Sequence, residues 1–161
     1  MEPLIDPLLA SNNPTVNGKS ETLNSAFLNY QQSRIEHWNG IAKKSAQSHG
    51  WGSFYHESLQ QIYSFLIPPG QRVIEIGCAG ADLLASVNPG TGVGVDFSEE
   101  MIQQARQQHP EFRFIRTDIH ELELDEKFDV VILSDLLNDL WNVQTALQRI
   151  EIGRASCRER V

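Results

Sequence analysis

The segment Val73-Ile74-Glu75-Ile76-Gly77-Cys78-Ala79-Gly80-Ala81-Asp82 constrains the fold of this chain more than any other. Its opening residues are apolar and mostly β-branched, which suits a buried strand. A run of small residues follows, and Asp82 then stands where a helix would begin, so strand, tight turn and helix succeed one another without a spacer. A strand that passes straight into a helix needs a crossover back to a parallel neighbour, and an α/β sheet is the expectation.

The alternation continues downstream. Residues 72–76 and 92–95 predict strands, 82–87 a short helix, and 98–108 a helix with Ser98 as N-cap, Glu99 and Glu100 in its first turn and Met101, Ile102 and Ala105 facing inward. Residues 112–115 predict a third strand. Residues 128–133 predict a fourth, apolar on both faces and so central in a parallel sheet, and 140–150 begin another helix. Such units imply right-handed crossovers and a doubly wound, mostly parallel, Rossmann-like sheet.

Upstream, residues 21–46 predict a helix interrupted near Gly40, and 53–66 a second with Phe54, Leu59, Ile62, Tyr63 and Leu66 on one face, stopped by Pro68-Pro69-Gly70. Residues 1–20, rich in Pro, Ser and Asn, read as a mobile leader, 21–70 as capping helices and 71–150 as an α/β half-domain. Gly18-Lys19-Ser20 lacks the upstream glycine and the preceding strand of a phosphate loop. Residues 151–161 carry Arg154, Arg158 and Arg160 without an amphipathic period. Residues 152–161 back-translate into codons that match the start of a widely used short-read sequencing adapter, so 151–161 are expected to be a non-native tail.

Composition narrows the function. A chain of 161 residues, 40% hydrophobic and 21% charged, is the size and make-up of one globular domain. No apolar run reaches the roughly 18 residues of a membrane span. Glu2 and Asp6 occupy the place of a basic signal-peptide n-region, which makes a cytoplasmic location the expectation. A net charge of −8 opposes a surface that tracks phosphates and disfavours nucleic acid as a partner. Cys78 and Cys157, with no C-x-x-C and no nearby histidine pair, predict neither a disulfide framework nor a metal site.

The small residues Gly77, Cys78, Ala79 and Gly80 let backbone approach a ligand at the carboxyl edge of the sheet, the alternative being a tight turn with no ligand. Asp96 ends the next strand, 21 residues after Glu75, where a carboxylate can take both ribose hydroxyls or can merely precede the helix N-cap. Asp118 follows the third strand, where its side chain or the amide of Ile119 can meet an adenine edge; the alternative is a surface loop aspartate. A pyrophosphate cofactor would want G-x-G-x-x-G, which Gly77-Cys78-Ala79-Gly80-Ala81-Asp82 is not. Glu75 at the strand end would repel a pyrophosphate and suits the ammonium and sulfonium of S-adenosylmethionine.

At these residues the chain resembles the class I S-adenosylmethionine-dependent methyltransferases. Their first motif is an acidic residue followed by three alternating glycines; Glu75 and Gly77 match, while Ala79 and Ala81 replace the later two. If either alanine needs a positive φ, it costs up to about 1 kcal/mol relative to glycine. The resemblance implies Asp96 as the ribose carboxylate with Phe97 beside it, Asp118 and Ile119 at the adenine edge, Met101 packed on the base, and Ser134 in the loop that closes over the methionine end. It covers residues 73–150 and implies a sheet in the order 3-2-1-4-5-7-6, of which only the first four strands precede Ile150, with the fourth left as an edge. Residues 51–70 and 134–141 are also similar to bacterial methyltransferase domains, some joined to glycosyltransferases.

The function implied is methyl transfer from S-adenosylmethionine to an acceptor that is a small molecule, lipid or saccharide rather than nucleic acid, with this fragment alone inactive. Asp135, His37 or His56 could accept a proton from a hydroxyl acceptor, although cofactor holding for Asp135 and surface positions for the histidines are the preferred readings. Trp38, Trp51, Tyr55 and Tyr63 read as core or lid packing. The alternatives are a non-catalytic scaffold module serving a fused glycosyltransferase and, less favoured by the loop, an NAD-dependent oxidoreductase.

Overall fold

The computed structural model describes residues 15–45 and 53–154. Helix α1 (Thr15–Ser45) and helix α2 (Ser53–Leu66) precede β1 (Arg72–Ile76), α3 (Asp82–Ser86), β2 (Thr91–Asp96), α4 (Glu99–Gln108), β3 (Arg113–Arg116), β4 (Val130–Ile132), a single 3-10 turn (Leu137–Asp139) and α5 (Val143–Arg154). The four strands form one sheet in the order β3-β2-β1-β4, with every pair parallel. This is the doubly wound, Rossmann-like arrangement expected from the alternation of elements.

β1 is buried from Val73 to Ile76, so the strand needs apolar residues on both faces. Val73 packs with Leu84, Ile102, Ala105, Phe114 and Ile132 on one side, while Ile74 and Ile76 pack with Val93, Val95, Phe128, Ala146 and Ile150 on the other. Gly94 in β2 is required by packing: a Cβ there would lie 2.7 Å from the Phe114 ring. β4 pairs β1 and forms one margin of the described sheet, the edge position that the resemblance implied for the fourth strand.

Three local expectations shift. α1 begins at Thr15, inside the segment read as a leader, and runs through Gly40 without a break. A glycine inside a helix costs about 1 kcal/mol, too little to end a helix that is docked on both sides of it, through Tyr30 and Arg34 before and Ala42 and Lys43 after. On α2, Phe54, Ile62 and Leu66 are 79%, 53% and 65% exposed instead of sharing a buried face. The five-residue α3 against which α2 packs covers only a narrow strip, reached by Tyr63 and by the Ser64 hydroxyl donating to the Ser86 carbonyl at 2.9 Å. Residues 140–142, expected to begin the last helix, instead link the 3-10 turn to α5. Trp51, Cys157 and residues 1–14 lie outside the described residues.

α1 lies across the sheet's carboxyl edge and along α4. The Ser98 hydroxyl and the Asn39 carboxamide oxygen are 2.6 Å apart, the Gln104 amide donates to the Ala42 carbonyl at 2.9 Å, and Lys43 pairs with Glu100 at 3.5 Å. Ser98 caps α4 as its sequence predicts, accepting the Met101 amide at 3.2 Å.

Candidate functional site

The turn after β1 closes on itself. Gly77 and Cys78 both donate their amides to the Val95 carbonyl, at 2.8 and 3.0 Å, Ala79 donates to Asp96 Oδ2 at 3.1 Å, and Ala81 donates to the Cys78 carbonyl at 2.7 Å. These four backbone donors are engaged within the protein rather than turned to the cleft. Gly77, Ala79 and Ala81 have φ of 75, 44 and 64°, so both alanines hold the left-handed conformation that glycine adopts without strain. A Cβ on Gly77 would lie 3.1 Å from Leu136 Cδ1, a close approach that ties this turn to the loop after β4.

Asp96 sits at the end of β2 and is 9% exposed. Its Oδ1 accepts the Ser98 amide at 2.8 Å and its Oδ2 the Ala79 amide at 3.1 Å. Burial raises its pKa above the ordinary value against the lowering effect of those backbone donors. A carboxylate offers about four acceptor positions, and those left open face a cleft lined by Ile76, Gly77, Asp96, Phe97, Asp118 and Ile119. The opposite wall comes from α1 and the loop around the 3-10 turn, including Tyr30, Gln31, Arg34, Leu136 and Trp141.

Asp118 accepts the His120 amide at 2.8 Å and lies 2.6 Å from His120 Nδ1, both at Oδ1, while Gln31 Nε2 donates to Oδ2 at 3.2 Å. Ile119 beside it is 5% exposed. Five residues singled out in the sequence therefore meet in one cleft: Gly77, Asp96, Phe97, Asp118 and Ile119.

The others lie around it. Glu75 is 3% exposed and its Oε2 accepts the Leu84 amide at 3.0 Å, beneath the turn at the start of α3. Burial pushes its pKa up to about 8. Cys78 is 4% exposed and packs with Val73, Leu84 and Phe114, so the thiol is a core group as well as a turn residue, and burial pushes its pKa far up. Met101 is 5% exposed within α4. Ala79, Gly80 and Ser134 are partly exposed near the turn and the β4 loop.

His37 and His56 are exposed on α1 and α2 and contact Trp38 and Tyr55 edge-on, at 5.5 and 5.6 Å between ring centroids, away from the cleft lining. Asp135, at a φ of 54°, receives the Tyr55 hydroxyl at 2.8 and 2.9 Å. Gln31 and Arg34 carry no local motif and reach the site only because α1 crosses the sheet edge, whereas His120 follows Asp118 by two residues and Asp139 lies in the family-like segment 134–141.

A family model described as a methyltransferase domain matches residues 67–154. A putative methyltransferase, 235L, of Invertebrate iridescent virus 6 is 28% identical over 100 residues, which cover 60% of this chain and 38% of the viral protein. Among solved structures, the N-methyltransferase NodS from Bradyrhizobium japonicum WM9, in complex with S-adenosyl-L-homocysteine, superposes with a TM-score of 0.60 at 19% identity, over 76% of this chain and 65% of that one. A methyltransferase from Geobacter sulfurreducens, also in complex with S-adenosyl-L-homocysteine, gives a TM-score of 0.50 at 21% identity, over 59% of this chain and 42% of that one. The chain spans less than two thirds of the length of each of these relatives.

Proposed function

The chain belongs to the methyltransferase-domain family matched over residues 67–154, and on that premise we propose that its cleft binds S-adenosylmethionine and serves methyl transfer to a small-molecule, lipid or saccharide acceptor. Asp96 carries this reading. It ends β2, keeps open acceptor positions toward the cleft, and is held by the turn amide of Ala79 and the helix-cap amide of Ser98, so its carboxylate is set in advance for a diol.

Asp118 and the adjacent Ile119 amide suit a purine edge across the cleft, and Gly77 lines it without a side chain. The bound cofactor supplies a methyl carbon already activated by sulfonium, so what the protein must add is chiefly alignment and exclusion of water. α1 supports both by covering the nucleoside side with Phe27, Tyr30 and Gln31. Residues 71–150 form the cofactor-binding unit in this reading, with 21–70 as its cover.

The turn's engaged amides argue against a dinucleotide pyrophosphate, and the net charge of −8 supports an acceptor other than nucleic acid. Titration calorimetry of the full chain with S-adenosylhomocysteine and, separately, NAD tests the reading. Binding of S-adenosylhomocysteine without NAD is expected; a preference for NAD would overturn it, and binding of neither would leave the cleft to a scaffold role.

A further inference from the structure

The acceptor positions of Asp118 are almost fully used by the protein. Two donors from His120 meet Oδ1, at 2.8 and 2.6 Å, and the Gln31 amide meets Oδ2 at 3.2 Å. With about four positions on a carboxylate, one remains, on Oδ2. The side chains of Asp118 and His120 are 14% and 11% exposed, so water cannot freely supply the missing partner.

His120 is itself held. With its proton on Nδ1 the ring donates to Asp118; Nε2 lies 3.2 Å from both the nitrogen and the carbonyl oxygen of Asn142 and in this tautomer accepts the amide, and Phe27 of α1 meets the ring edge-on at 5.6 Å. Gln31 is held by the seating of its helix. The Tyr30 hydroxyl donates to the Asp139 carbonyl at 3.0 Å, Trp38 Nε1 donates to the Asp139 carboxylate at 2.8 Å, and Arg34 pairs with the same carboxylate. Asp139 is therefore the anchor that keeps Gln31 over Asp118.

We propose that Gln31 and His120 are positioning residues for base recognition: they lock the Asp118 carboxylate with one lone pair toward the cleft, and α1 thereby helps to select a purine bearing an exocyclic amino group over one bearing an oxo group. The inference rests on the nucleoside placement proposed above. An amino group donates to the open lone pair, whereas an oxo group would set an acceptor against it and leave a buried carboxylate position unpaired. Without Gln31 the carboxylate can turn about its side-chain torsions, and the preference weakens even though Asp118 is still present.

The test is the ratio of affinities for S-adenosylhomocysteine and S-inosylhomocysteine, measured calorimetrically on the full chain. The unaltered protein is expected to prefer the adenosyl compound by about tenfold or more. Gln31→Leu, which keeps bulk and removes the donor, should reduce that ratio several-fold. Asp139→Asn, which weakens the anchor without touching Asp118, should reduce it in the same direction, and thermal melts of each variant verify folding. A burial or packing role alone would weaken both ligands together and leave the ratio unchanged. An unchanged ratio in Gln31→Leu, alongside a ratio abolished by Asp118→Asn, overturns the positioning role while the nucleoside site stands. Equal affinity of the unaltered protein for both compounds also overturns it. Failure to bind S-adenosylhomocysteine at all removes the cofactor reading and this inference with it.

Discussion

The carboxyl group of Glu75 accepts the Leu84 amide at 3.0 Å from within the buried end of β1. The strand thus caps the helix that follows it, and Leu84 receives from nine residues upstream what a local N-cap would ordinarily supply; the cap position itself, Ala81, offers no side-chain acceptor.

Burial pushes the Glu75 pKa from 4.5 to about 8, the Leu84 donor opposing and the charges of Asp82 and Asp96 reinforcing that shift. The folded protein holds a proton that the unfolded chain releases above pH 4.5, so stability is greatest below that value and falls as pH rises toward about 8. The fall should amount to a few kcal/mol. Glu75→Gln, which imitates the protonated group, should flatten the pH dependence of the melting temperature between pH 5 and 8, and parallel curves for the two proteins would contradict the protonated state.

Ala79 and Ala81 sit at φ of 44 and 64°. Left-handed backbone costs an L-residue about 1–2 kcal/mol, partly offset in a glycine variant by the greater freedom of the unfolded chain. Ala79→Gly should raise stability by up to about 1 kcal/mol, read as a rise of roughly 2–4 °C in melting temperature, whereas Ala81→Gly also gives up a methyl fully buried in the core and should gain less or lose. Gly77→Ala should lower stability, because a φ of 75° is combined with a Cβ 3.1 Å from Leu136. Denaturant melts of the three variants decide the sign in each case.

Asp96→Ala should weaken S-adenosylhomocysteine binding by roughly 2–3 kcal/mol, since charge-assisted hydrogen bonds to the ribose would be lost. The same change frees the Ala79 amide, so the melting temperature should fall as well. An unaltered dissociation constant in a folded variant would remove Asp96 from the ribose.

The Tyr55 hydroxyl bridges both oxygens of Asp135, and that hydrogen bond is the main reason its pKa lies above 10.0. In an alkaline titration followed by ultraviolet absorbance, Asp135→Asn should remove the part of the phenolate signal that appears at the highest pH. A titration identical to that of the unaltered protein would show that the pair does not form in solution.

Local chemistry determined much of this protein. Apolar β-branched runs define β1 and β2, a serine followed by two glutamates sets the start of α4, and the run of small residues after β1 marks a tight turn, while the positive φ at Ala79 and Ala81 is known only from the structure. These features act within a few residues, so a periodicity or a cap residue is enough to reveal them. Asp96 and Asp118 were also legible, because strand ends in an alternating chain fall along one edge of the sheet. Tertiary structure alone decided the rest. Gln31 reaches Asp118 across 87 residues, and Tyr30, Arg34 and Trp38 converge on Asp139 across more than a hundred, contacts that no spacing along the chain encodes. It also decided that most of α2's apolar residues remain exposed and that Glu75 turns toward Leu84, outcomes set by which surfaces a five-residue helix and a closed turn leave available. Propensity acts through each residue's own backbone and near neighbours; burial and hydrogen-bond partnership depend on what the folded chain brings back from far away.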